Sequence, residues 1–121
     1  MNPLDAFLAR LAHEPACLVT VLSTRGSVPR ERGAWMAVFD DETIGTVGGG
    51  QLEFQAIAQA RGQLRDASWL PGMPVRFALG PNLGQCCGGE VHLVFEVVHA
   101  PQIAEIKVRL KELLSPVALP T

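Results

Sequence analysis

The spacing of apolar residues predicts the first element of this chain, an amphipathic helix close to the N-terminus. Leu4, Phe7, Leu8 and Leu11 recur at steps of three and four residues, which places them on one face of a helix. Asn2 directly precedes Pro3, and this pair suits the N-cap and the first helical position. Pro15 ends this pattern, so we expect the helix to stop before it.

Short apolar runs rich in β-branched residues follow, separated by turn-forming residues, and this pattern is typical of strands. A second helical period begins after three consecutive glycines, and a third begins at Pro101. The predicted strands are 16–22, 34–39, 43–47, 75–79 and 90–98, and the further helices are 51–65 and a last one from 101. Because strands outnumber helices and two of them form a hairpin, the predicted fold class is α+β (mixed α/β), a single sheet of about five strands with flanking helices.

Composition and charge narrow the functional classes. The 121 residues fit one domain, and the formal net charge of −2 argues against a nucleic-acid-binding protein, which would carry a clustered basic surplus. No apolar run approaches the roughly 20 residues of a membrane span, and the first residues lack the features of a signal peptide. We therefore expect a cytoplasmic protein with free thiols, because its three cysteines are an odd number.

Two adjacent cysteines, Cys86 and Cys87, stand among glycines between Gly84 and Gly89. Glycines leave the thiols uncovered and allow a close approach of a ligand, so we interpret this segment as a binding site for a metal, a sulfur atom or an electrophile. A tight turn with incidental cysteines is the alternative. A structural zinc site is less favoured, because zinc needs four ligands and commonly two to four residues between paired cysteines. Cys17 lies in a predicted strand, where a packed structural thiol is expected.

Two other loops carry groups suited to anions. Residues 23–33 hold three arginines, whose planar donors fit phosphate or carboxylate, although a solvated surface loop is the alternative. Gly48–Gly50 lies at a strand-to-helix junction, where free amides and the helix dipole favour an anion. Glu53, in the first turn, is expected to cap those amides rather than project into a site. If the three loops meet at one end of the sheet, their ligand carries an anionic group and a soft centre.

Three segments resemble the signature blocks of a known family. They read GSVPRERGAWM (26–36), GTVGGGQLE (45–53) and LGQCCGG (83–89). In this order and spacing they are similar to the xanthine dehydrogenase accessory factors, the XdhC/CoxI family, over about residues 17–97. Family members usually continue into a second, Rossmann-like domain, so the resemblance implies that 1–121 is a single domain of the N-terminal type, with the C-terminal domain absent.

The resemblance implies a chaperone for the molybdenum cofactor, a pterin with a dithiolene and a terminal phosphate. The implied partners are a xanthine dehydrogenase-type molybdenum hydroxylase, a cysteine desulfurase that supports sulfuration, and a second copy of the chain in a homodimer. The residues expected to bind the cofactor are Arg30, Gly48, Gly49, Gly50, Gln51, Glu53, Gln85, Cys86, Cys87 and Gly88, with Cys86 and Cys87 as the contacts to molybdenum. Two alternatives remain: a small sulfurtransferase with Cys86 or Cys87 as nucleophile, and an interaction domain that never touches the cofactor.

Overall fold

The computed structural model describes residues 2–26, 31–66, 73–78 and 89–114, and within them the chain forms five strands and three α-helices. The helices and strands, in chain order, are α1 Pro3–Leu11, β1 Ala16–Arg25, β2 Trp35–Val38, β3 Thr43–Gly45, α2 Gly50–Arg65, β4 Pro74–Ala78, β5 Glu90–Val98 and α3 Ile103–Leu114, the last preceded by a 3₁₀ turn at Ala100–Gln102. The strands form one antiparallel sheet in the order β3-β2-β1-β5-β4. The predicted α+β class is therefore confirmed.

Helix α1 begins and ends where the sequence indicates. The side chain of Asn2 accepts a hydrogen bond from the backbone N–H of Asp5 at 2.8 Å, which satisfies one of the free amides of the first turn. The four apolar residues of the predicted stripe are all buried. They pack on the sheet, where Phe7 lies against Trp35 with ring centroids 5.4 Å apart.

The sheet separates two apolar clusters. Val19 and Val21 of β1 pack with α2 on one face, whereas Leu18 packs with α1 and α3 on the other. Strand β2 divides in the same way, since Met36 joins the α2 cluster and Trp35 joins the α1–α3 cluster. Because both faces are covered here, these central strands are apolar at consecutive positions instead of alternating.

Several helices and strands begin or end at residues other than the predicted ones. Strand β1 continues to Arg25, so residues 23–25, predicted as loop, lie in the sheet because β5 is long enough to pair with them. Strand β3 ends at Gly45 rather than at residue 47, since the glycine loop begins to turn there. Strand β2 is one residue shorter than predicted at each end. Strand β4 starts one residue earlier than predicted, at Pro74, and α2 starts one residue earlier, at Gly50. Strand β5 has the predicted bounds.

Candidate functional site

The register of the central strands brings two of the predicted loops together. Arg25, the last residue of β1, pairs with Glu90, the first residue of β5, and Ala78, the last residue of β4, also pairs with Glu90. The arginine-rich segment therefore leaves the sheet beside the two strand ends that border residues 79–89. These are the segments predicted to carry the cationic side chains and the thiols.

The glycine loop leaves its strand in the direction in which β1 runs. Strand β3 runs in the same direction as β1, because both pair antiparallel with β2. Its last residue, Gly45, therefore leads in the direction in which β1 runs, and α2 starts five residues later, at Gly50. The register places Gly45 level with Met36 and Val19, six residues before Arg25, so the glycine loop leaves the sheet earlier than the end of β1.

Backbone geometry explains the three consecutive glycines. Gly48, Gly49 and Gly50 have φ angles of 128°, 78° and 61°, a region that side-chain-bearing residues rarely adopt. Gly49 is the N-cap of α2 and has no side chain with which to cap the first amides. Those amides need an acceptor from elsewhere.

Glu53, in the first turn of the helix, is an acceptor for the loop that leads into α2. Its Oε1 atom accepts hydrogen bonds from the backbone N–H of Val47 at 3.2 Å and of Gly49 at 3.1 Å. The hydroxyl of Thr46 donates to the same oxygen and accepts from the N–H of Gly48 at 3.0 Å. The expectation that Glu53 caps this loop is confirmed, and the amides at 47, 48 and 49 are already bonded within the chain.

Two arginines, Arg25 and Arg76, lie at the end of the sheet that borders the arginine-rich segment and residues 79–89. The Nε–H of Arg76 on β4 donates to Oε2 of Glu90 at 2.5 Å, and Nη1 of Arg25 lies 3.8 Å from Oε1 of the same carboxylate. The hydrogen bond from Arg76 lowers the pKa of Glu90 below its ordinary value. Sequence reasoning missed this cluster because its members come from three strands, and only the register brings them together.

The remaining predicted site residues have different outcomes. Gln51 is exposed in the first turn of α2, where it can reach a ligand. Arg30, Gln85, Cys86, Cys87 and Gly88 lie outside the described residues, so their assignment stays a prediction. Cys17 is a free, buried thiol, as expected, and burial raises its pKa to about 12.

The described part of the chain contains neither a candidate metal-binding cluster nor a membrane-spanning helix. Among residues 2–26, 31–66, 73–78 and 89–114, no three His, Cys, Asp or Glu side chains are grouped so as to hold a metal ion. Within those same ranges, no helix has the length and apolar character needed to cross a membrane.

Comparison with known proteins gives a family and a fold. The model of the XdhC and CoxI family matches residues 9–69, about half of the chain. A solved structure described as a xanthine dehydrogenase from Bacillus halodurans superposes with a TM-score of 0.69 at 24% sequence identity. The match covers 93% of this chain and 35% of that one, so the present chain spans about a third of its length. No curated protein sequence matches.

Proposed function

Because this chain belongs to the XdhC and CoxI family, we propose that it is an accessory domain that binds the molybdenum cofactor as cargo. In this proposal it supports sulfuration of the cofactor by a cysteine desulfurase and its insertion into a molybdenum hydroxylase. The observation that carries the proposal is the register of β1, β5 and β4, in which Arg25 and Ala78 both pair with Glu90, so that the arginine-rich segment and residues 79–89 start from neighbouring strand ends. Such an arrangement offers several types of binding group to one ligand.

The chemistry of the loops fits the parts of this cofactor. A dithiolene-bound molybdenum is a soft centre, and thiolates are the protein ligands that soft metals prefer. In the proposal Cys86 or Cys87 contacts the molybdenum or a transferable sulfur. Arg30 supplies positive charge, and Gln85 and Gly88 flank the thiols.

Fewer amides of the glycine loop are available to a ligand than its three glycines suggest. Since the amides at 47, 48 and 49 donate within the chain, the loop meets the ligand through the amides of Gly50 and Gln51. Glu53 holds the loop in the conformation that presents those two amides. Gly48 and Gly49 then act through their backbone shape, which no residue with a side chain adopts without strain.

Cofactor retention tests this proposal directly. The full chain is expressed together with the cofactor pathway and purified, and molybdenum is measured by mass spectrometry and pterin by fluorescence after release. We expect stoichiometric cofactor on the natural chain and none on the Cys86→Ser/Cys87→Ser double variant. Cys17→Ala is the matched control, because it removes a thiol that is buried in the core, and it should retain the cofactor.

Two results would count against the proposal in different ways. Absence of both molybdenum and pterin from the natural chain would reject cofactor binding altogether. Full retention by the double-serine variant would leave the cofactor in place but remove the thiols from its binding.

A further inference from the structure

On the face of the sheet that packs against α1 and α3, the two helices cover only one half, as far as the described residues go. The two helices cover the half that contains Leu18, Trp35 and Ala37. Towards the end of the sheet at which β1 finishes, Ser23 and Arg25 of β1 and Arg76 of β4 are exposed. No helix in the described ranges covers this part of the sheet.

The strand register aligns polar side chains on this uncovered area. Ser23, His92 and Arg76 lie opposite one another on β1, β5 and β4, and Arg25 lies opposite Glu90. His92 and Glu90 are two residues apart on β5, so all five side chains share one face. We call this group the polar platform: Ser23, Arg25, Arg76, Glu90 and His92.

The two arginines of the polar platform carry exposed hydrogen-bond donors. Glu90 is 16% exposed and lies between the two arginines, whose side chains are 84% exposed for Arg25 and 60% for Arg76. The hydrogen bond to Glu90 uses Nε of Arg76, and no residue of the described ranges accepts a hydrogen bond from the two terminal nitrogens of that guanidinium. One carboxylate against two guanidiniums leaves a net positive charge. A doubly charged anion suits such a pair, because guanidinium donors match phosphate oxygens in geometry.

The glycine loop does not compete well for the same anion. Its amides at 47, 48 and 49 already donate to Glu53 and Thr46, which leaves those of Gly50 and Gln51 as its donors to an anion. The polar platform instead carries two exposed guanidiniums, those of Arg25 and Arg76.

We propose that the polar platform binds a phosphate monoester through Arg25 and Arg76, with Glu90 positioning the guanidinium of Arg76. Ser23 and His92 lie beside the bound group and supply further hydrogen bonds. The anion site itself does not depend on the proposed function; only the identity of the phosphate, as that of the cofactor, rests on it.

A titration of the full chain with inorganic phosphate tests the site, with chloride at equal ionic strength as the reference. Backbone amide signals are followed by ¹H–¹⁵N NMR. We expect shifts at residues 23–25, 76–78 and 90–92, and none at 48–50. Arg25→Gln and Arg76→Gln should each weaken phosphate binding roughly 3- to 10-fold, the size expected for a charge-assisted contact at a surface.

Two variants separate a binding role from a purely structural one. Arg65→Gln is the matched control: Arg65 is 69% exposed, lies 3.7 Å from Asp40 and sits at the end of α2 away from the loops, so phosphate affinity should stay unchanged. Glu90→Gln keeps an acceptor for Arg76 but removes the competing charge. It should tighten phosphate binding by roughly 2- to 5-fold, whereas arginines that serve only as ion-pair partners would show no gain.

Three results would overturn the proposal. The first is a set of phosphate-induced shifts centred on residues 48–52. The second is unchanged affinity in Arg25→Gln and Arg76→Gln variants whose circular dichroism spectra show them folded. The third is an equal loss in Arg65→Gln, which would mean that phosphate follows general surface charge. None of these results bears on molybdenum retention, so the two proposals fail independently.

Discussion

The carboxylate of Glu53 accepts a hydrogen bond from the backbone N–H of Gly49, four residues earlier and at the N-cap of α2, at 3.1 Å. The same oxygen accepts from the N–H of Val47. One side chain in the first turn of the helix thus holds the loop that leads into it. Loop and helix start are therefore expected to order together.

Replacement of Glu53 should show how far the loop depends on this side chain. Glu53→Ala leaves two partly buried amides without an acceptor and should lower the free energy of unfolding by about 1–3 kcal/mol. Glu53→Gln keeps one carbonyl oxygen for those amides and should cost less. Urea unfolding measures both, and equal losses in the two variants would show that the amides find other partners.

Gly45 should not tolerate a side chain. Its φ angle is +84°, and a Cβ atom there would lie 2.6 Å from the backbone oxygen of Trp35, which cannot move aside. Gly45→Ala should therefore lower the free energy of unfolding by roughly 2–4 kcal/mol. Gly62→Ala is the control, because nothing lies within 4 Å of a Cβ at this helical position. That variant should gain about 0.5–1 kcal/mol in the same measurement.

The buried thiol of Cys17 should be unreactive in the folded chain. Its pKa rises from 9.0 to about 12, mainly through burial, and the thiolate is the reactive form. Alkylation at pH 8 followed by mass spectrometry should leave Cys17 unmodified until denaturant is added. Modification of Cys17 under native conditions would mean that β1 opens readily.

The same thiol should make stability depend on alkaline pH. The folded state holds this proton more tightly than the unfolded state, so the contribution is complete below pH 9 and is lost as the pH rises towards 12. Thermal unfolding at several pH values should show this decline in the natural chain. Cys17→Ala should show less of it, and identical pH profiles would contradict the prediction.

Asp41 should control part of the loss of stability at acid pH. Arg10 donates to its carboxylate at 2.5 Å and also bonds to Glu42, which ties α1 to the β2–β3 turn. The hydrogen bond from Arg10 lowers the pKa of Asp41, so this stabilisation is present above the ordinary aspartate pKa of about 3.9 and is lost as the pH falls through the lowered value.

Asp41→Asn should therefore lower the midpoint of thermal unfolding at pH 7, and its difference from the natural chain should disappear in strong acid. Asp40→Asn is the control, because the neighbouring Asp40 faces Arg65 at 3.7 Å instead of Arg10. A difference that persists unchanged in acid would assign the effect of Asp41 to packing rather than to charge.

Much of the fold could be predicted from local pattern. The helical stripe of α1, the bounds of β5 and the pairing of β2 with β3 follow from periodicity and turn residues. The last three residues of β1 could not be predicted, because Ser23, Thr24 and Arg25 are polar and become strand only through pairing with β5. Their conformation is decided by a partner far along the chain rather than by their own propensity.

Part of the candidate site could likewise be predicted from the sequence, and part could not. The capping role of Glu53 could be expected from its place three residues after the last of the glycines. The grouping of Arg25, Arg76 and Glu90 could not, since a shift of one residue in either strand pair would send these side chains to opposite faces of the sheet. Their proximity is a property of the register and becomes visible only in the folded chain.

The central position of β1 also sets the order in which this chain can fold. Its longest partner is β5, and the pairs between them run from Arg25 with Glu90, 65 positions apart, to Ala16 with Val98, 82 apart. Such distant contacts form slowly, and during synthesis β1 has only β2 beside it until β5 emerges. An apolar strand edge therefore stays open until β5 has been synthesised, and β5 is the segment that closes it.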